Sequence, residues 1–260
     1  RWMHVGFIHG VMNTDNMTIS GETIDYGPCA FMDAYDPHTV FSSIDTQGRY
    51  AYANQPPIAA WNLARLAEAL LPLIDDDREQ AIARATYAVK GFRARFDAHW
   101  LDGMRAKLGL QTPRDDDASL IDGMLGAMQE ARADFTLAFR RLSDVARGDE
   151  SRFRALFDDP ARVDAWLARW RTRIMQESAA SEPQSAGARA SAMDRVNPIV
   201  IARNHLVEAA LLAAFVDNDR EPFEALLAVL ERPFDEREGL DEYIQPPGDG
   251  NPDFRTYCGT

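Results

Sequence analysis

The chain has 260 residues, and its 28 lysines and arginines against 41 aspartates and glutamates give a formal net charge of 28 − 41 = −13. This acidic balance argues against nucleic-acid binding, because contact with phosphates needs a basic face. The 46% of hydrophobic residues is enough for a sizeable core in one large domain or two small ones. No apolar run has the length of a membrane span, so we expect a soluble protein without a membrane partner.

Cysteine usage and the first residues bear on the cellular context. Two cysteines, Cys29 and Cys258, are too few for a disulfide framework and indicate a reducing compartment. No secretory signal is seen, so we expect a cytoplasmic protein. The opening residues do not look like a normal initiator start, which leads us to expect the C-terminal part of a longer protein.

Polar residues and glycines dominate the first 55 positions. Short apolar pieces at 17–19 and 23–24 flank Ser20, Gly21 and Glu22, a pattern that predicts a small β-hairpin. After residue 56, apolar residues recur at helical spacing and predict long helices with core-facing stripes. These stripes comprise Ile58, Trp61, Leu66, Leu70 and Leu73; Ile121, Met124, Leu125, Met128, Phe135, Phe139 and Leu142; Val163, Trp166, Leu167, Trp170 and Ile174; residues 199–215; and Phe223, Leu226, Leu227 and Leu230.

Two later segments lack such stripes. Residues 177–192 are mostly Ser, Ala, Gly and Pro and predict a loop, and the proline- and glycine-rich residues 237–260 predict an irregular tail. The predicted fold is therefore mainly α, with a short β-hairpin near the N-terminus.

The segment that carries chemistry is HGVMNTDN at residues 9–16, followed by DYG at 25–27. Phosphate chemistry on a nucleotide needs a divalent metal on hard oxygen ligands, commonly a carboxylate and an Asn carbonyl. Asn16 and Asp25, on either side of a tight turn, could converge on one metal ion. In the absence of the second motif, an ordinary polar turn would explain residues 13–16 equally well.

The spacing follows the protein-kinase pattern H-R-D-x-x-x-x-N then D-F-G, with one departure. His9 and Asn16 keep their places, but Val11 holds the position of the kinase's catalytic aspartate, and valine cannot accept a proton. The nearest carboxylate is Asp15, which becomes the candidate base. His9 is expected to hold the loop through hydrogen bonds.

Parts of a nucleotide site are missing from the sequence. The only lysines are Lys90 and Lys107, both in predicted helices, and no G-x-G-x-x-G occurs. A nucleotide clamp is therefore expected upstream of this chain. Two alternatives to a nucleotidyltransferase stay open: a kinase-type phosphotransferase, and a helical interaction scaffold whose metal loop is vestigial.

The motifs together resemble one family. The HGVMNTDNM run, TIDYGP at 23–28, FMDAYDP at 31–37, GRY at 48–50 and NQP at 54–56 resemble the selenoprotein O family, also called YdiU. Further matches are VNP at 196–198, Arg203-Asn204 and residues 227–233. The resemblance covers nearly the whole chain and is weakest over residues 75–192.

The resemblance implies a kinase-like protein adenylyltransferase, which moves AMP from ATP to Ser, Thr or Tyr hydroxyls of proteins. It implies that Asp15 accepts the proton, that Asn16 and Asp25 bind Mg²⁺ or Mn²⁺, and that Asp25 also contacts ATP. Residues 1–75 would hold the catalytic loop and an activation-like segment. Residues 76–260 would form the helical remainder of a kinase C-lobe and a C-terminal extension. The chain alone would be inactive.

The resemblance also bears on the cysteines. The family carries a cysteine or selenocysteine near its C-terminus, where this chain has Cys258, and Cys29 is the only partner within the chain. The family's other cysteine falls later, near residues 40–42, which argues against a bridge between Cys29 and Cys258. The pairing stays open.

Overall fold

A computed structural model describes residues 1–180, 185–248 and 254–257 of the chain. The fold is mainly helical, as predicted, with one small antiparallel sheet of two strands, β1 (Phe7–Ile8) and β2 (Ala30–Phe31). Within the described residues, no helix combines the length and the apolar character needed to cross a bilayer.

After a long non-helical segment between α1 and α2, the α-helices follow one another along the chain. They are α1 (Trp2–Val5), α2 (Gln55–Ile74), α3 (Arg78–Lys107), α4 (Asp117–Ala131), α5 (Phe135–Arg147), α6 (Ser151–Arg154), α7 (Asp164–Ala180), α8 (Ala186–Asp194), α9 (Asn204–Leu212), α10 (Glu221–Leu230) and α11 (Asp241–Ile244). Short 3₁₀ turns lie at Thr14–Asn16, Tyr52–Asn54 and Pro160–Val163, and a π-helical turn at Ala213–Asp217 follows α9.

Contacts between Cα atoms divide the chain into two compact units. The first contains Arg1–Gly6, Phe31–Asp36 and Leu101–Phe254, and the second contains Phe7–Ala30, Pro37–Trp100 and Arg255–Thr260. These units interleave along the sequence, so the division into 1–75 and 76–260 stays a prediction about functional parts.

The core of the first unit forms around α5. Asp134 caps this helix by accepting a hydrogen bond from the Leu137 amide at 2.7 Å, and α5 packs most extensively against α8. The indole nitrogens of Trp166 and Trp170 donate to the carbonyls of Leu120 and Leu108, at 2.8 and 2.9 Å. The stripes of α4, α5 and α7 are therefore core, as predicted.

The predicted core stripe of α2, in the second unit, is wrong for this chain. Leu66, Leu70 and Leu73 are exposed, and Trp61 is 42% exposed between the guanidinium groups of Arg49 and Arg65. Periodicity correctly identified the helix, but it cannot tell which apolar face has a partner within the chain.

The hairpin predicted around residues 20–22 is also wrong. The strands lie outside it, at Phe7–Ile8 and Ala30–Phe31, and residues 17–24 form an irregular turn. There the Thr18 hydroxyl donates to the Glu22 carbonyl at 2.9 Å and Ile19 is 90% exposed. Side chains that bond to the local backbone compete with strand pairing, and a two-stranded hairpin without a buried face is marginal.

Two boundaries in the first unit also differ from the prediction. The segment 177–192, predicted as a loop, is helical on both sides, because α7 continues to Ala180 and α8 begins at Ala186 after the capping hydroxyl of Ser185. Conversely, the first part of 199–215 is not helical: the amides of Ile199 and Val200 both donate to the Pro233 carbonyl, and α9 begins only at Asn204.

Candidate functional site

The loop at residues 9–16 belongs to the second unit and depends on a glycine. Gly10 has a φ of +89°, and a Cβ added to it would lie 2.6 Å from the Pro28 carbonyl oxygen. Any other residue would clash there, so only glycine lets residues 9–16 approach the segment that contains Asp25.

His9 connects these two segments through hydrogen bonds. Its Nε2 lies 2.8 Å from the Ile24 carbonyl oxygen, which can only accept, and its Nδ1 lies 3.4 Å from the Val11 amide, which can only donate. These partners assign the neutral tautomer with the proton on Nε2. Because both ring nitrogens form hydrogen bonds, His9 holds the loop, as predicted. Asp25 directly follows Ile24, whose carbonyl oxygen accepts the hydrogen bond from His9.

Val11 and Asn16 fix the shape of the loop between them. Val11 is buried, and its carbonyl accepts a hydrogen bond from Asn16 Nδ2 at 3.0 Å. The side-chain nitrogen of Asn16 is therefore already hydrogen-bonded within the protein. Its side-chain oxygen, Oδ1, is the atom that can bind a ligand. Asp15 and Asn16 share the 3₁₀ turn Thr14–Asn16, so the structure brings these two predicted residues together.

Three residues that the sequence reasoning did not assign to the site support the loop. Buried Gln55 accepts from the His9 amide at 3.0 Å and donates to the Phe7 carbonyl at 2.9 Å. Asn62 Nδ2 donates to the Met12 carbonyl at 3.0 Å, and the Tyr50 hydroxyl donates to Asn13 Oδ1 at 2.6 Å.

A sequence signal for two of these residues did exist. Tyr50 and Gln55 lie in the GRY and NQP motifs that carried the family resemblance. Those motifs show no chemistry of their own, so only the structure reveals that they position the loop.

The two candidate carboxylates are accessible. Asp15 and Asp25 are exposed, and neither forms an ion pair with another described residue. Asp25 also has a φ of +54°, a left-handed conformation that costs free energy for a residue with a Cβ. An exposed acid that lies on a strained backbone and forms no ion pair with a described residue is typical of a functional position.

Asp25 and Asn16 provide the type and number of protein ligands that a Mg²⁺-like ion needs. Within the described residues, no three His, Cys, Asp or Glu side chains lie together as a metal cage. Mg²⁺ rarely needs one, because it is usually held by one or two carboxylates together with water and substrate phosphates. The carboxylate of Asp25 and the amide oxygen of Asn16 suit such a set, and their joint ligation stays a prediction.

The half-buried thiol of Cys29 has no disulfide partner among the described residues, and burial raises the pKa of that thiol. The preceding residue, Pro28, accepts a hydrogen bond from the Thr256 hydroxyl at 2.7 Å. Cys258 lies outside the described residues, so its pairing with Cys29 stays a prediction.

Comparison with known proteins agrees with the resemblance. The model of the family described as "Protein adenylyltransferase SelO" matches residues 1–231. The chain belongs to the SelO family. Three relatives named "Protein nucleotidyltransferase YdiU" align with the whole chain: those of Rhizobium rhizogenes strain K84 and Agrobacterium fabrum strain C58 are 55% identical, and that of Bradyrhizobium sp. strain BTAi1 is 56% identical.

The match to these SelO relatives covers only part of their length. The aligned region makes up 51% of the Rhizobium rhizogenes protein and 52% of each of the other two. The chain thus spans about half the length of the curated relatives it matches.

Proposed function

We propose that this chain carries the proton acceptor and the metal ligands of a protein adenylyltransferase, which transfers AMP from ATP to a hydroxyl group of a protein. Asp15 is the proton acceptor, Asn16 and Asp25 bind Mg²⁺ or Mn²⁺, and Asp25 also contacts ATP. The remainder of the chain serves as the helical part of a kinase-like C-lobe and its extension.

One observation carries this proposal. The loop that holds Asp15 and Asn16 is fixed to the segment that holds Asp25, through His9 and Gly10, while both carboxylates stay exposed and unpaired among the described residues. A turn whose only task was structural would use its own carboxylates as hydrogen-bond acceptors. Family membership supports the same reaction.

In the proposed reaction, the oxygen of a protein hydroxyl attacks the α-phosphorus of ATP. A new P–O bond forms, the bond from the α-phosphorus to the bridging oxygen of the β-phosphate breaks, and pyrophosphate leaves. The hydroxyl proton passes to the carboxylate of Asp15. A divalent ion held by Asn16 and Asp25 would supply positive charge to neutralise the phosphates. Val11 takes no part, because its side chain is buried and apolar.

Neither lysine of the chain is placed as a phosphate clamp. Lys107 is fully buried against the rings of Phe135 and Phe139, so its amino group is not available to a nucleotide. Lys90 lies in the middle of α3, on an apolar cleft. We therefore place the clamp in the half of the SelO relatives that this chain does not match, and we expect weak or no ATP binding by the chain alone.

The test uses this chain joined to the complementary half of the Rhizobium rhizogenes relative. The joined protein is incubated with Mg²⁺ or Mn²⁺ and with ATP labelled at either the α- or the γ-phosphate, and protein-bound label is measured. We expect label only from the α-phosphate. Asp15→Asn and Asp25→Asn should each reduce it by at least about a hundredfold, the usual contribution of a general base or an electrostatic group.

A matched control separates the site from general charge effects. Asp76→Asn removes one exposed carboxylate from the connection between α2 and α3 and should leave labelling unchanged. Label only from the γ-phosphate would overturn the proposal in favour of a kinase with a displaced base. No label from either position would favour the helical scaffold.

A further inference from the structure

Helix α2 has an unusual pattern of burial. Its only fully buried residues, Gln55 and Asn62, are polar and hold the loop at residues 7–12. Leu66, Leu70 and Leu73 recur at i, i+4 and i+7 and so share one face, yet they are 38, 39 and 82% exposed. We call these three residues the α2 leucine face.

The adjoining side of α2 is apolar as well. Together with α3 it lines an open cleft of about 670 Å³, whose apolar wall residues are Ala64, Ala67 and Leu71 on one side and Ile82, Ala85 and Val89 on the other. The polar residues Glu68, Arg78, Thr86 and Lys90 also line the cleft. The leucine face and the cleft lie next to each other around the helix, so α2 presents a continuous apolar surface about half a turn wide.

A surface of this kind differs from a scatter of single exposed leucines. Isolated apolar side chains are common on proteins, but a contiguous apolar patch with helical periodicity marks an interface. Helix α4 shows the ordinary arrangement, because its apolar residues Leu120, Ile121, Met124 and Met128 are buried. The second unit therefore contains a helix whose sequence pattern is that of a core helix and whose apolar face has no partner among the described residues.

The relatives indicate the partner. This chain matches about half of their length, which leaves a polypeptide of similar size that occurs in the same molecule. A segment tethered in one chain has an effective concentration in the millimolar range, well above that of a separate protein or a second copy. Because of this higher effective concentration, a segment of the same polypeptide would bind this surface in preference to a separate protein or a second copy.

We propose that the α2 leucine face and the α2–α3 cleft are the surface on which the complementary half of the full-length SelO protein packs, through apolar side chains of a helix. The inference rests on family membership and on the burial pattern, and it deepens the proposed function by fixing where the half that supplies the nucleotide clamp attaches.

Thiol accessibility tests this surface without requiring catalysis. Leu66→Cys and Leu70→Cys are made singly, with Cys29→Ser and Cys258→Ser, in this chain alone and in this chain joined to the complementary half of the Rhizobium rhizogenes relative. The rate of maleimide labelling is measured in each. We expect each thiol to react at least about tenfold more slowly in the joined protein, as for a site that reacts only during local opening.

Met175→Cys is the matched control, because Met175 lies on α7, in the other unit, and is 63% exposed. Its labelling rate should be the same in both proteins. Equal rates for Leu66→Cys and Leu70→Cys in both proteins would overturn the proposal. Protection in the chain alone that grows with protein concentration would also overturn it, by showing that the occupant is a second copy.

A second measurement guards against local distortion by the cysteines. Leu66→Asp with Leu70→Asp should lower the unfolding midpoint of the joined protein by more than about 5 °C and leave that of the chain alone nearly unchanged. A failure of AMP transfer with thiol protection intact would count against the proposed function only, whereas loss of protection would count against this surface only.

Discussion

Charged side chains have opposite environments in two regions of this molecule. In the first unit, Arg203 has no solvent exposure and binds the carboxylates of Asp33 and Asp134 as well as the Ile244 carbonyl. In the loop of the second unit, Asp15 and Asp25 are exposed and form no ion pair with a described residue. Charges that are paired and buried serve the fold, whereas charges left accessible on a fixed backbone are available for a ligand.

The largest expected effect comes from breaking the buried group. Burial raises the pKa of the Asp134 carboxyl, and the Arg203 guanidinium opposes that rise. Arg203→Met removes this opposition and leaves a buried carboxylate without its partner. We expect a loss of about 3–5 kcal/mol in the free energy of unfolding, measured by urea denaturation.

The comparison for this variant is an exposed ion pair. Arg93 and Asp97 lie one turn apart on α3, with side chains 77 and 49% exposed. Arg93→Ala should change the free energy of unfolding by no more than about 0.5 kcal/mol. Similar losses for both variants would show that the buried group has no special role.

Lys107 is a buried charge with no acidic partner in the part of the chain that the structure describes. Burial lowers its pKa to about 7, and its amino group lies 4.3 Å from the centre of the Phe139 ring and 5.4 Å from that of Phe135. The aromatic faces favour the charged form and offset part of the cost. Lys107→Met removes the charge at similar volume and should stabilise the protein by about 3 kcal/mol at pH 6.

The pH dependence follows from the direction of this shift. The folded-state pKa of Lys107, about 7, lies below that of the unfolded chain, so between about pH 7 and 10 the unfolded state binds more protons. The stability of the parent protein should therefore rise through this window relative to Lys107→Met. Urea denaturation of both proteins at pH 6, 8 and 10 measures it, and a constant difference would contradict the assignment.

Local sequence patterns predicted the helices but neither the burial of Lys107 nor the pairing of Arg203. Hydrophobic periodicity predicted the helices α4, α5, α7 and α10, because the spacing of apolar residues along a helix is a local pattern. It could not predict that Lys107 is buried or that Arg203 pairs with Asp33 and Asp134, because those partners are 170 and 69 residues away along the chain.

The same limit applies to the loop. Motif spacing selected Asp15, Asn16 and Asp25, but the supporting contacts of Gln55 and Asn62 are 46 and 50 residues distant in sequence and carry no chemical signature. The strands were misplaced for a related reason: residues 7–8 and 30–31 are too short for an alternating pattern.

Substitution of Gln55 should have an effect of intermediate size on stability. It tests whether buried hydrogen bonds hold the backbone on which the exposed Asp15 lies. Gln55→Leu removes the buried hydrogen bonds that the Gln55 side chain makes with the His9 amide and the Phe7 carbonyl. We expect a loss of about 2 kcal/mol in stability and faster hydrogen exchange at residues 9–16. Gln47→Leu, at an exposed position, should change neither quantity. Unchanged exchange in Gln55→Leu would mean that the loop is held by other contacts.

The smallest expected effect concerns the backbone of Asp25. Its φ of +54° nearly equals the +55° of Asn218 in the connection between α9 and α10. Glycine adopts this conformation without strain, so Asp25→Gly and Asn218→Gly should each stabilise the chain by about 0.5–1 kcal/mol in urea denaturation. Only Asp25→Gly should abolish AMP transfer in the joined protein, because only Asp25 is proposed to bind the metal. If both variants kept full transfer, the carboxylate would not be needed. If Asp25→Gly gained stability and lost transfer, an acid would be retained at a strained position for its ligand at the expense of the fold.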